Sequence, residues 1–228
     1  MKRIIALLAL ICCLAAAIFG CSSPAPESSS EPAESLQGAA PGVYGPLSEK
    51  VITAMADGDY SMTVAITTEV GAEGQEPQQL VTEAKTVQQG ENYAVQMPDA
   101  GMRIVVKDSV SLVVFDNQKI YMDLSLSGLD PDSFEIPDIA SVISYMGEGT
   151  GTVMGRELPY EEYGAEGGTS RYYFDGESLA FITTSAEGME IVMEVKEFLE
   201  TADTALFDIP EDFTQIKSLD ELNSLSAA

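Results

Sequence analysis

The hydrophobic positions of this chain fall into three patterns. A continuous apolar run occupies Ile4 to Phe19, directly behind Lys2 and Arg3. From Leu47 to Met55 the apolar residues Leu47, Val51, Ile52 and Met55 recur at helical spacing, with Pro46 where a first helical turn tolerates proline. From Tyr60 the period changes to two. Tyr60, Met62, Val64, Ile66 and Val70 lie on one face of the expected strand, and Ser61, Thr63, Thr67 and Glu69 on the other. The alternation returns in Tyr93-Val95-Met97, Met102-Ile104-Val106, Ile120-Met122-Leu124, Leu179-Phe181 and Met189-Ile191-Met193-Val195, while Val110 to Phe115 is apolar on both faces. Turn residues separate these stretches at short intervals: Gly71 to Pro77, Gln89-Gly90-Glu91, Pro98 to Gly101, Asp116-Asn117, Asp175-Gly176 and Glu187-Gly188. Hairpins therefore predominate over crossover helices, and the sheet is expected to be an antiparallel meander.

Two further helices are expected. Ile139, Val142, Ile143 and Met146 are spaced three and four apart, placing one over residues 138–146. Leu219, Leu222 and Leu225 place another over 217–225. The fold class is α+β, read as a single domain over residues 47–228. No repeat of fixed period stands out, which disfavours a solenoid or propeller.

The N-terminal pattern decides the compartment. A positive start, an apolar run and a small residue before a cysteine are the anatomy of a signal peptide. The run is shorter than the roughly 20 residues that a helix needs to cross a hydrocarbon core. Ile18-Phe19-Gly20-Cys21 resembles the lipobox of bacterial lipoproteins, although Phe19 is bulkier than the usual residue at its position. The expectation is a signal peptide over residues 1–20, cleavage behind Gly20, and acylation of Cys21. The chain is then lipid-anchored to a cell membrane on its extracytoplasmic face. Cys12 and Cys13 leave with the signal, so the mature chain retains Cys21 alone and can form no intramolecular disulfide. Residues 22–46, rich in Ser, Pro, Ala, Glu and Gly, have little to bury and read as a disordered tether that begins at the lipidated residue 21. Such a tether has a root-mean-square reach of about 25 to 30 Å.

Charge narrows the partners. The chain has 37 acidic against 11 basic residues, a net charge of −26, which becomes −28 once Lys2 and Arg3 depart. Nucleic acid is excluded as a partner. No histidine is present, which removes the commonest general base and the commonest transition-metal ligand. A Ser-His-Asp triad is thereby impossible. The glycines at 147, 149, 151 and 155 fail the dinucleotide fingerprint, since Met154 stands where its third glycine belongs; they are read instead as relieving crowding where a strand bends. Asp130, Asp132, Glu135 and Asp138 resemble a calcium loop only in being acidic. No catalytic residue, metal ligand or cofactor is expected, and the chain reads as a non-enzyme.

The order of elements resembles the LolA/LolB-like lipoprotein half-barrels, including related lipid-anchored proteins of Gram-positive bacteria. The stretches that carry the resemblance are GENYAVQMP, VVFDNQKIYMDL, SRYYFDGESLAFITT, MEIVMEVKEF and the closing ALFDIPEDF. The resemblance spans nearly all of residues 47–217. It implies a strongly curved antiparallel sheet of about 8 to 11 strands, a half-barrel covered by a few short helices. It also implies an apolar cavity for acyl chains. The candidate cavity residues are Met62, Val64, Ile66, Tyr93, Val95, Ile104, Ile120, Met122, Leu179, Phe181, Ile191 and Met193. The flexible thioethers among them suit an adaptable apolar ligand, and equally a core. The leading expectation is a lipid-anchored binding protein for a lipid or other hydrophobic small molecule. The alternative is an interaction or sensor lipoprotein with a filled core and a protein partner in the envelope.

Overall fold

The computed structural model describes residues 43–70, 78–126, 143–165, 168–186, 189–218 and 221–222. These residues are α+β, with one complete α-helix, α1 (Glu49–Asp57), and a mostly antiparallel set of strands. In chain order the strands are β1 (Asp59–Val70), β2 (Gln78–Gln89), β3 (Asn92–Met97), β4 (Met102–Lys107), β5 (Val110–Phe115), β6 (Ile120–Asp123), β7 (Ser144–Val153), β8 (Arg156–Ala165), β9 (Gly168–Asp175), β10 (Ser178–Ala186), β11 (Met189–Leu199) and β12 (Thr214–Ile216). The chain divides into two compact units. Among the described residues the first unit holds those from 43 to 56 and from 143 to 192, and the second those from 57 to 126 and from 193 to 222.

In the first unit α1 opens behind Pro46, and the Ser48 carbonyl accepts its first helical bond from Ile52 N at 2.8 Å. Val51, Ile52 and Met55 are buried, the stripe that the helical spacing predicts. The sheet of this unit runs β7-β8-β9-β10 and ends on the first residues of β11. Ile143 is not helical and residues 144–146 begin β7, so the expected helix over 138–146 is not formed there, and residues 138–142 lie outside the described ones. Three- and four-residue spacing over so short a stretch does not outweigh pairing along the length of β8. The register of β7 shifts between Tyr145 and Gly147, and Tyr160 lies against the glycines beyond that shift. A Cβ on Gly149 would meet Tyr160 Oη at 2.8 Å, so crowding does explain the glycine at that position.

The second unit runs β12-β6-β5-β4-β3-β2-β1 and ends on the remainder of β11. The strands from β1 to β6 pair as an antiparallel meander. β12 departs from it by pairing with β6 in parallel, with Ile216 beside Met122. Of the expected helix over 217–225, residues 221–222 are helical. The Ser218 hydroxyl accepts from Glu221 N at 3.3 Å, and the Glu221 carboxylate accepts from Lys217 N at 2.9 Å, an arrangement close to a capping box.

Candidate functional site: an uncharged sheet face

Register decides which side chains share a face, because directly paired residues point the same way. Met62 pairs with Thr86, Thr86 with Val95, Val95 with Ile104, Ile104 with Val113, Val113 with Met122, and Met122 with Ile216. One row of side chains therefore crosses β1, β2, β3, β4, β5, β6 and β12. Alternation places Val64 and Ile66 beside Met62, Tyr93 beside Val95, and Ile120 beside Met122. Every candidate cavity residue from Met62 to Met122 thus lies on a single face. No Asp, Glu, Lys or Arg stands on that face of these seven strands among the described residues. Val64 is 0%, Met62 1%, and Ile104 and Met122 2% exposed, while Tyr93 is 7% exposed and Val95 half-buried. Met193, where β11 enters this unit, is also fully buried.

The opposite face of the same sheet is closed by the chain's own C-terminal segment. Val87, Ala94, Val105 and Val114 form a buried cluster with Phe207, and Leu206, Ile209 and Phe213 pack on it. Buried Arg103 fastens the cover, donating to the Leu206 carbonyl at 2.8 Å and the Asp208 carbonyl at 3.0 Å, with Asp116 3.2 Å from its Nε. Ser61 Oγ donates to the Thr201 carbonyl and accepts from Asp203 N. Lys85 meets the Asp203 carboxylate at 2.6 Å, and its hydrogen bond and charge hold that carboxyl below its ordinary pKa. The closing ALFDIPEDF stretch is therefore a cover for the far face. Only the doubly apolar run from Val110 to Phe115 signalled a second buried face in the sequence.

In the first unit the expected residues do not all converge. The β9–β10 register shifts between Leu179 and Phe181, so Leu179 pairs with Phe174 whereas Phe181 pairs with Tyr173. Since Tyr173 and Phe174 are adjacent along their strand, Leu179 and Phe181 point to opposite faces, the usual result of an inserted residue. Phe181 joins Val153, Leu158 and Tyr173 in a cluster on which Val192 packs, leaving Ile191 to alternate away from it.

On the other face of this unit sits a polar cluster that the sequence did not reveal. Glu161 is fully buried and accepts from Leu47 N at 2.9 Å, Ser48 N at 2.9 Å and Ser48 Oγ at 2.5 Å. Ser48 Oγ also contacts Tyr163 Oη at 2.5 Å, which accepts from Gly45 N at 2.8 Å. A carboxylate at the start of α1 suits both the open amides and the dipole of the helix. Gly45, assigned by composition to the tether, is buried in this cluster, and a Cβ there would lie 2.2 Å from Glu161 Cδ. Burial pushes the Tyr163 hydroxyl up to about 12, against its bonds to Ser48 and Gly45, and burial raises Tyr172 as well. The cluster explains fastening of the chain behind residue 45. Gly20 and Cys21 lie outside the described residues, and no three metal-ligating side chains converge among the described ones.

The chain is similar in structure to a LolA superfamily protein. That protein, from Nitrosomonas europaea, is 13% identical, with a TM-score of 0.39 over 72% of this chain and 94% of its own. A domain of Vibrio parahaemolyticus named as outer membrane lipoprotein-sorting is 9% identical, with a TM-score of 0.33 over 69% and 92%. A DUF1329 family protein of Desulfovibrio piger is 13% identical, with a TM-score of 0.34 over 71% and 95%. No protein-family profile and no curated protein matches the chain.

Proposed function

We propose that this chain is a non-enzymatic, lipid-anchored binding protein of the extracytoplasmic membrane face, held through acylated Cys21, which takes a lipid or other hydrophobic molecule on the uncharged face of its second unit. The absence of charge across seven strands carries the reading. In a chain where 21% of residues are charged, a face without one is reserved for apolar contact. Its thioethers, Met62, Met97, Met102 and Met122, can repack around ligands of differing shape. The second unit's other face is occupied by the C-terminal segment and unavailable for the same role.

A second reading has its own support. Val64 and Met62 have almost no exposed surface, as expected of a filled core whose partner is an envelope protein bound elsewhere. Diphenylhexatriene, a hydrocarbon probe that fluoresces in apolar surroundings, separates the two. Binding to the folded chain raises its stability by RT ln(1 + [L]/Kd), about 2.7 kcal/mol at a hundredfold excess over Kd. Saturable fluorescence with a raised melting temperature supports the binding protein, whereas no fluorescence and no shift favour the filled core. Intact mass of the mature N-terminal peptide tests the anchor, and an unmodified Cys21 contradicts it.

A further inference from the structure

The row from Met62 to Ile216 contains one polar side chain, Thr86, which sits between Met62 and Val95 in the register. Thr86 is 1% exposed, and its hydroxyl has no hydrogen-bond partner. Elsewhere in this unit the buried Ser61 hydroxyl is satisfied by Thr201 and Asp203, and the two Arg103 amino groups donate to the Leu206 and Asp208 carbonyls. A buried hydroxyl without a partner weakens the fold, and valine would fill the same branched shape without that cost. Nothing in the sheet itself accounts for threonine at this position.

We infer that the Thr86 hydroxyl is a ligand contact, and that the molecule bound on this face is a neutral lipid with an ester carbonyl or hydroxyl within its apolar body. The inference rests on the binding reading above and specifies the chemistry of the ligand. A threonine hydroxyl donates one hydrogen bond and accepts others, so a carbonyl or a hydroxyl completes it equally well. A carboxylate or phosphate does not fit, because no Lys or Arg stands on this face to pair with a desolvated anion. The group recognised is thus uncharged, set among methionine and aliphatic side chains that hold the remaining hydrocarbon.

The test measures two affinities in the chain from residue 22 onward, which keeps every described residue. Diphenylhexatriene reports the hydrocarbon contact, and its displacement by 1-monopalmitoylglycerol reports recognition of a neutral ester. Thr86→Val and Thr86→Ala should bind diphenylhexatriene as the parent does but need about 5- to 10-fold more monoacylglycerol, the loss of one neutral hydrogen bond of about 1 to 1.4 kcal/mol. Thr86→Ser should keep the parental value, and Thr86→Val should melt no lower than the parent. Equal displacement in the parent and both hydroxyl-free variants overturns the assignment of Thr86 while leaving the binding face intact. A lower melting temperature for Thr86→Val also overturns it, since the hydroxyl then serves the fold. Failure of the parent to take up diphenylhexatriene overturns the binding reading itself, and the Thr86 assignment with it.

Discussion

Replacing Glu161 by glutamine keeps the shape of the side chain and removes its charge, which isolates the polar cluster at the start of α1. The two carboxylate oxygens divide three donors: one accepts from Leu47 N, the other from Ser48 N and Ser48 Oγ. A glutamine amide best keeps its oxygen where two donors converge. Its NH2 then faces Leu47 N, so one charge-assisted bond is lost and two donors confront each other. A hydrogen bond to a charged group contributes about 1.5 to 3 kcal/mol, and the two that remain become neutral and weaker. Relief of the buried charge's desolvation works in the opposite direction. The expected net loss is about 2 to 3 kcal/mol. Urea denaturation should show a lower midpoint with an unchanged slope. Hydrogen exchange localises the effect, with the Leu47 and Ser48 amides losing protection ahead of those in the second unit. A Glu161→Gln midpoint equal to or above the parent's, with both amides still slow to exchange, refutes the view that this carboxylate fastens the chain.

Other substitutions probe neighbouring features. Gly45→Ala puts a methyl 2.2 Å from Glu161 Cδ and should cost about 1 to 3 kcal/mol, read from the same urea curves. Tyr163, raised by burial to about 12, stays protonated in the fold at a pH where the unfolded chain has ionised it. Its contribution is complete below its ordinary value near 10 and is lost between there and about 12. Alkaline titration of stability should therefore fall over that window, and fall less in Tyr172→Phe, which removes a second raised phenol. Met154 and Gly155 join β7 to β8 with φ of 47° and 76°, a two-residue turn that favours Asn-Gly. Met154 is exposed, so Met154→Asn should raise stability by about 0.5 to 1 kcal/mol, and an unchanged melting temperature contradicts the assigned strain.

What the sequence revealed depended on local contrast between apolar and polar positions. α1, β1, β3 and β4 were legible because each carries a clear stripe or alternation. β2 was not: with Thr82, Ala84, Thr86 and Gln88 on one face and Val81, Glu83, Lys85 and Val87 on the other, neither side is uniformly apolar by residue type. It is held by the pairing of β1 and β3 on its two sides, which is non-local. β7 and β8, rich in glycine and glutamate, escaped for the same reason. Within the candidate site, period two correctly gathered Met62 through Met122 onto one face, because register in an antiparallel meander preserves alternation from strand to strand. It failed at Leu179 and Phe181, where one inserted residue reverses the face. The Glu161 cluster joins residues 113 positions apart, beyond the reach of any local pattern.

The central claim, that the uncharged face of the second unit holds a hydrophobic molecule, is tested most directly by native mass spectrometry of the chain from residue 22 onward, purified without detergent from bacterial cells. The account predicts a non-covalent adduct of several hundred daltons, roughly the size of an acyl lipid that fills a pocket of about 300 to 1,000 Å³. Organic extraction should remove it, and diphenylhexatriene should compete for the same site. A bare polypeptide mass that stays bare after incubation with neutral lipids would contradict the claim and leave the face as a packed core.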